Sequence, residues 1–267
     1  MRSLSVFLLF KLISVLMMQG QNFWYEPNPK GMVFIPQGSL TRENDTSRTT
    51  LPAFWMSQEI TNSEYRAFTD FASANPDFVL KWKKWDPQTK TYSDQNVVIA
   101  EIYNEICVDS LALSKEYEAG SDLYKTYQNY FTDPRFNKYP VVGVSFHGAY
   151  YYCIWRTLME RKNESSIQDY RIPYDLEWEY AASLVSPSKR AETGKIMPAD
   201  YYKHAKNLLC NISGNVSEWV YRSDIQESDK PVRGNHWKNA AVPHQDAETK
   251  SGLTGFRVVR SYGRNKF

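Results

Sequence analysis

The sequence predicts an α+β domain built from short strands, few helices and a high proportion of loops. Short apolar runs that end at Pro or at turn residues indicate the strands. Two or three segments place apolar residues at helical spacing, and long polar connections separate the elements. The 267 residues suffice for one large domain or two small ones, and they contain no internal repeat and no low-complexity segment.

Aromatic residues can supply a sizeable core. They make up 15% of the chain, with 8 Trp and 19 Tyr. These side chains pack while they hydrogen-bond to backbone, which suits a domain rich in loops. The formal net charge is only +2 and no long basic run is present, so no nucleic-acid partner is expected.

Apolar runs predict the strands. They fall at 31–36, 54–60 and 140–144, near Val232, and at 255–259. Residues 37–50 are polar and are expected to form a loop.

The first helix has a strong start signal. Thr61 and Glu64 form a capping box, in which the hydroxyl and the carboxylate satisfy opposite free amides. Tyr65, Phe68 and Phe71 then share roughly one face of the predicted helix.

Two further helices follow. Ser145 is predicted to cap a helix over 146–161, in which Cys153 acts as a small buried apolar residue. Residues 170–173 lead into another helix that begins near Asp175 and turns Trp178, Ala181 and Ala182 inward.

The character of the chain changes at about 74–139. This segment is predicted to be an insertion with little regular structure that lies against the main domain. Trp82 and Trp85 stand among lysines, and Asp86-Pro87 marks a turn. Interleaved Lys and Trp suit a stacking surface for a sugar or nucleic acid, but a folded hairpin with solvated lysines is the favoured interpretation.

The N-terminus predicts export. Residues 1–20 are interpreted as a signal peptide, because Arg2 precedes an apolar run interrupted mainly by Lys11, and 21–267 as the mature domain. An uncleaved membrane anchor is the alternative. The run is short for a full span, and Lys11 would be costly inside one.

Cysteine usage argues against a disulfide framework. Cys107, Cys153 and Cys210 are the only cysteines, so at least one stays unpaired within a monomer. No pair has the spacing of a zinc or redox site, and at most one bridge can form.

The stretch Gly214-Asn215-Val216-Ser217-Glu218-Trp219 is the candidate metal site. The side-chain oxygens of Asn215 and Glu218, with a backbone carbonyl at Val216, are the hard oxygen ligands that calcium takes. On spacing alone, the plainer interpretation is a turn at Asn215, a solvated Glu218 and a core Trp219.

Several stretches, taken in order, resemble the formylglycine-generating-enzyme-like (sulfatase-modifying factor) domain family. They are Gly31-Met32-Val33-Phe34-Ile35-Pro36, Ile60-Thr61-Asn62-Ser63-Glu64-Tyr65, Pro140-Val141-Val142-Gly143-Val144-Ser145, Tyr170-Arg171-Ile172-Pro173, Glu177-Trp178-Glu179-Tyr180-Ala181-Ala182, the 214–219 stretch, Arg233-Gly234 with Trp237, and Gly255-Phe256-Arg257. The resemblance implies a fold related to C-type lectins. Family members bind calcium at the loop equivalent to 215–218, which favours a structural calcium ion at Asn215, Val216 and Glu218.

Two details resemble one branch of the family. The segment 130–139 before Pro140, and Asn211 before the 214–219 stretch, are similar to gliding-motility and type IX secretion lipoproteins of Bacteroidetes. The Cys that accepts the lipid in those lipoproteins is absent near residue 20.

The resemblance also indicates which residues catalysis of the family type would require. Catalytic members hold copper with two C-terminal Cys, because soft thiolates bind and cycle Cu(I). Residues 233–260 contain no Cys, so catalysis of this type is not expected. His236 and His244 lie in this region and are interpreted as solvated or capping groups in preference to metal ligands.

Two carboxylates on the third helix are given structural roles. Glu177 and Glu179 lie two residues apart, so they point in different directions and are poor partners for acid–base chemistry. Glu177 is predicted to complete the helix N-terminus, and Glu179 to pair with an arginine such as Arg171 or Arg257.

Three functions are consistent with the sequence. The favoured one is an exported, non-catalytic binding or scaffold component of a Gram-negative periplasm or cell envelope, linked to gliding motility or type IX secretion, with envelope or secretion-system proteins as partners. It would meet the membrane only through those partners or through an uncleaved signal. The alternative is a metal-dependent oxidoreductase of the formylglycine-generating type with altered ligands. The third is a lectin-like domain that binds a glycan through the loops at 235–247.

Overall fold

The computed structural model describes residues 28–42, 45–86, 88–185, 194–201, 209–222, 228–238, 240–241 and 243–263. The predicted signal peptide at 1–20 lies outside these ranges. Within the described ranges, no helix has both the length and the apolar character needed to span a bilayer.

The described residues contain many short strands and few helices. The strands are β1 Met32–Ile35, β2 Gly38–Arg42, β3 Asp45–Leu51, β4 Phe54–Ser57, β5 Val79–Asp86, β6 Thr91–Val98, β7 Tyr170–Arg171, β8 Ser217–Trp219, β9 Asp229–Arg233, β10 His244–Asp246, β11 Thr254–Gly255 and β12 Val259–Ser261. The α-helices are α1 Asn62–Ala74, α2 Tyr103–Ile106, α3 Asp122–Tyr127, α4 Phe146–Arg161 and α5 Asp175–Ser183. The predicted α+β class is confirmed.

Two four-stranded sheets organise these elements. The first has the order β1-β4-β12-β7 and is antiparallel throughout. The second has the order β10-β9-β8-β11, in which β11 runs parallel to β8. The pairs β2–β3 and β5–β6 are separate two-stranded sheets.

The largest hydrophobic cluster lies between α1, α4 and the strands. Tyr65 of α1 stacks on Tyr152 of α4, with ring centroids 5.7 Å apart, and Phe256 meets both rings edge-on. Trp219 is fully buried and donates its indole N–H to the carbonyl of Val144 at 3.0 Å. The last residue of the 214–219 stretch is thereby fixed in the core, as the sequence predicted.

The predicted helix starts are confirmed. The Thr61 hydroxyl accepts from the amide of Glu64, whose carboxylate in turn accepts from the Thr61 amide at 2.9 Å. The Ser145 hydroxyl accepts from the amide of Gly148 at 3.0 Å, and Cys153 is buried on the helix that follows. Because each cap uses only residues within one turn, local sequence was enough to predict it.

Two expectations about the backbone were wrong. Residues 37–50 were expected to form a loop, but they contribute the antiparallel hairpin β2–β3. Residues 140–144 were expected to form a strand, but they make only an isolated bridge between Pro140 and Thr61. Val141 and Val144 are fully buried all the same, so their apolar run marks burial without strand pairing.

The segment 74–139 has more regular structure than predicted. Its first part is the hairpin β5–β6, with eight residues in each strand, and the favoured hairpin interpretation is confirmed. The rest contains α2, α3 and short 3-10 turns. Leu80 is fully buried, and Trp82 meets Tyr150 and Tyr151 of α4 edge-on, so the base of the hairpin packs on the main core.

Candidate functional site

The 214–219 stretch enters the second sheet at its centre. Glu218 and Trp219 pair with Arg233 and Val232 of β9, and Glu218 also pairs with Gly255 of β11. Immediately before the strand, Asn215 has a φ of 75°, in the left-handed region that Asn tolerates better than most residues. This turn directs the Asn215 side chain into the protein interior.

Glu218 is a buried ion-pair partner and not a solvated residue. It is 1% exposed, and both of its carboxylate oxygens lie within 2.9 Å of Nε of the fully buried Arg257. The indole N–H of Trp178 donates to the same carboxylate at 2.7 Å. The remaining guanidinium nitrogens of Arg257 donate to the carbonyls of Ser57 and Cys210. Every polar group of the pair is therefore hydrogen-bonded, which buried charges require.

A second buried carboxylate, Glu59, faces the amides of the same region. The Asn215 amide donates to both Glu59 oxygens at 2.9 and 3.1 Å, and the Asn211 amide donates at 2.7 Å. We call Glu59, Asn211, Asn215, Glu218 and Arg257 the buried carboxylate network. It joins the end of β4 to the 214–219 stretch and to the segment before β12.

The network contains two carboxyl groups and one guanidinium. Burial raises the pKa of Glu59 from its usual 4.5 to about 8; the Arg257 guanidinium opposes this shift and the Glu218 carboxylate adds to it. Burial also raises the pKa of Glu218, again against the influence of Arg257. The shift therefore favours a protonated Glu59 near neutral pH, while Glu218 lies against the Arg257 guanidinium.

The side chains of the predicted calcium site are occupied by protein groups. Oδ1 of Asn215 accepts from the amide of Met197 at 2.8 Å, and its amide nitrogen is directed at Glu59. An ion at Glu218 would have to displace Arg257, which already supplies the positive charge. Val216 is buried and its amide donates to the carbonyl of Gly214. In this arrangement the Asn215 and Glu218 side chains are not free to hold a calcium ion. Calcium binding itself stays a prediction.

The histidines of the C-terminal region have separate environments. His236 is 5% exposed, and its Nδ1 accepts from the amide of Lys238. Burial and the neighbouring Lys238 lower its pKa. His244 lies on β10 and faces Asp229 at 3.3 Å. His236 is thus buried and not solvated, and its ring accepts a hydrogen bond from an amide of the loop.

Glu177 and Glu179 of α5 point in different directions, as their spacing predicts, and Glu179 pairs with arginines, although not with the two named in advance. Glu177 accepts from the amide of Tyr174 at 2.9 Å and so completes the helix N-terminus, as predicted. It also pairs with Arg171 at 2.7 Å. Glu179 pairs with Arg42 and Arg233, not with Arg171 or Arg257, because it projects from the other side of α5 toward β2 and β9.

All three thiols are free in the structure. Cys153 and Cys210 are buried and Cys107 is partly buried. Burial raises the pKa of the Cys153 thiol, which makes it a packing residue and not a nucleophile.

The sequence reasoning missed Glu59 as a member of the site. The available signal was its position in the apolar run 54–60, where a single carboxylate predicts a buried, partnered group. It also missed the cluster of Glu105, His147 and Glu248, whose members come from three distant segments and give no signal in spacing.

The observed fold and the match to a family model assign the chain to the same family. Residues 22–193, more than half of the chain, match the Sulfatase-modifying factor enzyme 1-like domain. The chain belongs to this family, and its fold is the formylglycine-generating-enzyme-like fold related to C-type lectins. The match ends before residue 214, so the 214–219 stretch is placed by the fold and by the resemblance of its motif.

A solved structure extends the likeness of fold across most of the chain. The chain is similar to PvdO from Pseudomonas aeruginosa, with a TM-score of 0.51 and 16% identity over 89% of this chain and 98% of PvdO. It is also similar to CarF, with a TM-score of 0.48 and 15% identity over 88% of this chain and 99% of CarF. At these identities the likeness concerns the fold alone.

One relative is much longer than this chain. Serine/threonine-protein kinase Pkn1 from Chlamydia trachomatis serovar L2 is 24% identical over 78% of this chain and 33% of Pkn1. The chain thus spans about a third of the length of that relative. The activity in its name is a property of that protein.

Proposed function

We propose that this chain is a non-catalytic member of its family that acts as an exported binding or scaffold component of the cell envelope. The observation that carries the proposal is the absence of Cys from residues 233–260, where catalytic relatives hold copper with two thiolates. Without these ligands the chain lacks the soft donors that Cu(I) chemistry requires.

The remaining cysteines do not replace that pair. Cys153 packs on α4 inside the main hydrophobic cluster, and its raised pKa disfavours the thiolate. Cys210 is buried, and its carbonyl accepts from Arg257 at 2.6 Å. Cys153 thus serves the main hydrophobic cluster, and Cys210 contacts the buried carboxylate network.

The finer part of the proposal is a role linked to gliding motility or type IX secretion in a Bacteroidetes envelope. Its support is the resemblance of residues 130–139 and Asn211 to those lipoproteins. In the structure Phe136 packs in a cluster of aromatic residues, and the Arg66 guanidinium donates to the carbonyl of Phe131 and to Asn137. The segment that carries the resemblance is therefore attached to the domain and contributes to its surface.

A scaffold needs a binding surface, and the tip of β5–β6 offers one. Trp85 and Tyr92 pack against each other with ring centroids 4.9 Å apart, although they are 46% and 65% exposed. Residues 79–98 contain four Lys and two Asp. Exposed aromatic rings beside an excess of positive charge fit a protein partner with an acidic face.

Crosslinking in cells, followed by capture of the tagged full-length chain from the envelope fraction, tests the proposal. We expect the wild type to capture defined envelope proteins and the double variant Trp85→Ala, Tyr92→Ala to lose them. The matched control is Leu123→Ala on α3, because Leu123 is 42% exposed but lies on another element. Recovery of the same proteins with all three chains would overturn the assignment to the hairpin, and a wild type that captures none would overturn the scaffold proposal.

The oxidoreductase alternative needs its own measurement. Copper content and oxygen consumption with a Cys-containing peptide should both stay at background for the purified chain. Stoichiometric copper with turnover would replace the scaffold proposal by an enzyme with altered ligands.

A further inference from the structure

Three potential metal ligands meet on the surface, outside the buried carboxylate network. They are Glu105 of α2, His147 of α4 and Glu248 in the loop after β10, and one ligand atom from each lies within 4.8 Å of the other two. His147 Nδ1 also contacts a carboxylate oxygen of Glu248 directly. We call these residues the Glu105–His147–Glu248 cluster.

The backbone holds the first two members against each other. The Ser145 hydroxyl, which caps α4, donates to the carbonyl of Glu105 at 3.4 Å. Gly148 permits a close approach here, because a Cβ at this position would lie 2.7 Å from the same carbonyl. Glu105 and His147 are thus fixed on two elements in contact.

The third member is held by two independent anchors. The amide of Phe146 donates to the carbonyl of Ala247 at 2.9 Å, which joins the loop to the start of α4. Lys250 donates to the carbonyls of Asn104 and Cys107 at 2.7 and 2.6 Å, which joins the same loop to α2. Glu248 lies between these anchors, so its backbone is positioned before any ion binds.

The electrostatics of the cluster favour a cation. Among the residues the structure describes, the partly buried Glu105 carboxylate accepts no hydrogen bond and forms no ion pair. Burial raises the pKa of Tyr151, one turn after His147, and the charges of Glu105 and Glu248 raise it further, so both carboxylates act on the same small region. Two close like charges repel each other unless a positive charge lies between them.

We propose that Glu105, His147 and Glu248 bind a divalent transition-metal ion of the Zn²⁺ class. Imidazole is a ligand for Zn²⁺, Fe²⁺, Ni²⁺ and Cu²⁺, whereas Ca²⁺ and Mg²⁺ take oxygen ligands. One imidazole with two carboxylates therefore selects this class over calcium. Three protein ligands leave coordination positions open to water or to a group on a partner.

The cluster needs only a small adjustment to hold the ion. Bonds of about 2.0–2.2 Å to a tetrahedral ion separate the ligand atoms by roughly 3.3 Å, which is less than the 4.8 Å limit observed. The His147 and Glu248 side chains are 35% and 57% exposed, so rotation about their side-chain bonds can close this gap. The direct contact between them would be replaced by two bonds to the metal.

The plainer interpretation is a hydrogen bond between His147 and Glu248 alone. The third residue separates the two interpretations, because Glu105 has no part in that hydrogen bond. Glu105→Gln keeps the size of the side chain and removes the charge, so it should weaken metal binding while it leaves the hydrogen bond between His147 and Glu248 in place.

Titration of the metal-free full-length chain with ZnCl₂ in a calorimeter tests the proposal. We expect one Zn²⁺ per chain in the wild type, and binding at least ~10-fold weaker in His147→Ala, Glu248→Gln and Glu105→Gln. The matched control is His244→Ala, since His244 is 40% exposed and, within the described ranges, pairs with one carboxylate, Asp229, at 3.3 Å. This control should bind Zn²⁺ like the wild type.

Three results would overturn the proposal. They are the absence of stoichiometric Zn²⁺ binding in the wild type, equal affinity in Glu105→Gln, or an equal loss in His244→Ala. Circular dichroism of each variant shows whether it is folded. The measurement does not involve the hairpin tip, so its outcome is separate from the test of the scaffold role.

Discussion

Glu218 and Arg257 illustrate how one residue pair can fix distant parts of this chain. Taking both charges out of water is expensive, and the expense is offset only when every donor and acceptor has a partner. The indole N–H of Trp178 donates a further hydrogen bond to the Glu218 carboxylate. The Arg257 guanidinium donates its remaining hydrogen bonds to the carbonyls of Ser57 and Cys210. The pair therefore ties α5, the end of β4 and the turn before β8 to one point.

Removal of one charge from this pair should be severe. Arg257→Met is expected to lower the free energy of unfolding by about 3–5 kcal/mol, because Glu218 would remain buried without a counter-charge. Urea denaturation measures the change. Arg257→Met with Glu218→Met should recover part of the loss, and Arg135→Ala, at an exposed ion pair, should leave the midpoint nearly unchanged. A single Arg257 variant as stable as the wild type would show that the pair is not buried as described.

Glu59 should make stability depend on pH. Its pKa is raised in the folded chain, from 4.5 to about 8, so the folded state binds a proton that the unfolded state releases in this interval. Its contribution is fully present below pH 4.5 and is lost as the pH rises to about 8. The free energy of unfolding should fall by up to about 1.4 kcal/mol per pH unit in that window.

The matching variant is Glu59→Gln, which cannot titrate. Urea unfolding of the variant and the wild type between pH 5 and 8 should show a flatter dependence in Glu59→Gln, whereas exposed Glu118→Gln should follow the wild type. Parallel curves for Glu59→Gln and the wild type would mean that Glu59 titrates normally.

At the scale of elements, the start of α4 has two roles. Ser145 satisfies a free amide of the helix and contacts the carbonyl of Glu105. The same turn carries His147 and receives the loop that bears Glu248. The stability of this turn and the geometry of the proposed metal cluster therefore depend on the same residues.

Ser145→Ala should destabilise the protein by about 1 kcal/mol, the usual effect of losing an N-cap hydroxyl. The thermal unfolding midpoint should fall accordingly. Ser165→Ala, at an exposed position after α4, should change stability by less than about 0.5 kcal/mol. Equal effects of the two substitutions would mean that the cap contributes nothing measurable.

At the scale of the whole molecule, the predicted calcium site and the observed contacts of Asn215 and Glu218 lead to opposite expectations for the effect of calcium on stability. Arg257 already contacts Glu218, and the amide of Met197 already donates to Asn215. After metals have been removed from the protein with a chelator, excess CaCl₂ should therefore not change its melting temperature. A rise on adding Ca²⁺ and a fall with chelator would support the calcium site and require the ion pair to rearrange. Adding Zn²⁺ in parallel, to the wild type and to His147→Ala, separates the two sites.

Features of this fold that depend on residues close together in sequence were predicted correctly, whereas contacts between residues far apart in sequence were missed. The caps at Thr61 and Ser145 and the burial of Trp219 were correct because they depend on nearby residues or on strong apolarity. The β2–β3 hairpin was missed because its strands are polar, so no hydrophobic alternation marked them. The partners of Glu179 and of Glu218 were missed because each lies far away in sequence, and spacing carries no information about such contacts.

The position of β12 has a consequence for the nascent chain. This strand, Val259–Ser261, lies between β4 and β7, and β11 nearby completes the second sheet. Neither sheet can close during synthesis until residues 254–261 have been made, and until then β4 and β7 keep open edges that can pair with other chains. Folding of both sheets is therefore delayed until the ribosome has released the chain as far as Ser261.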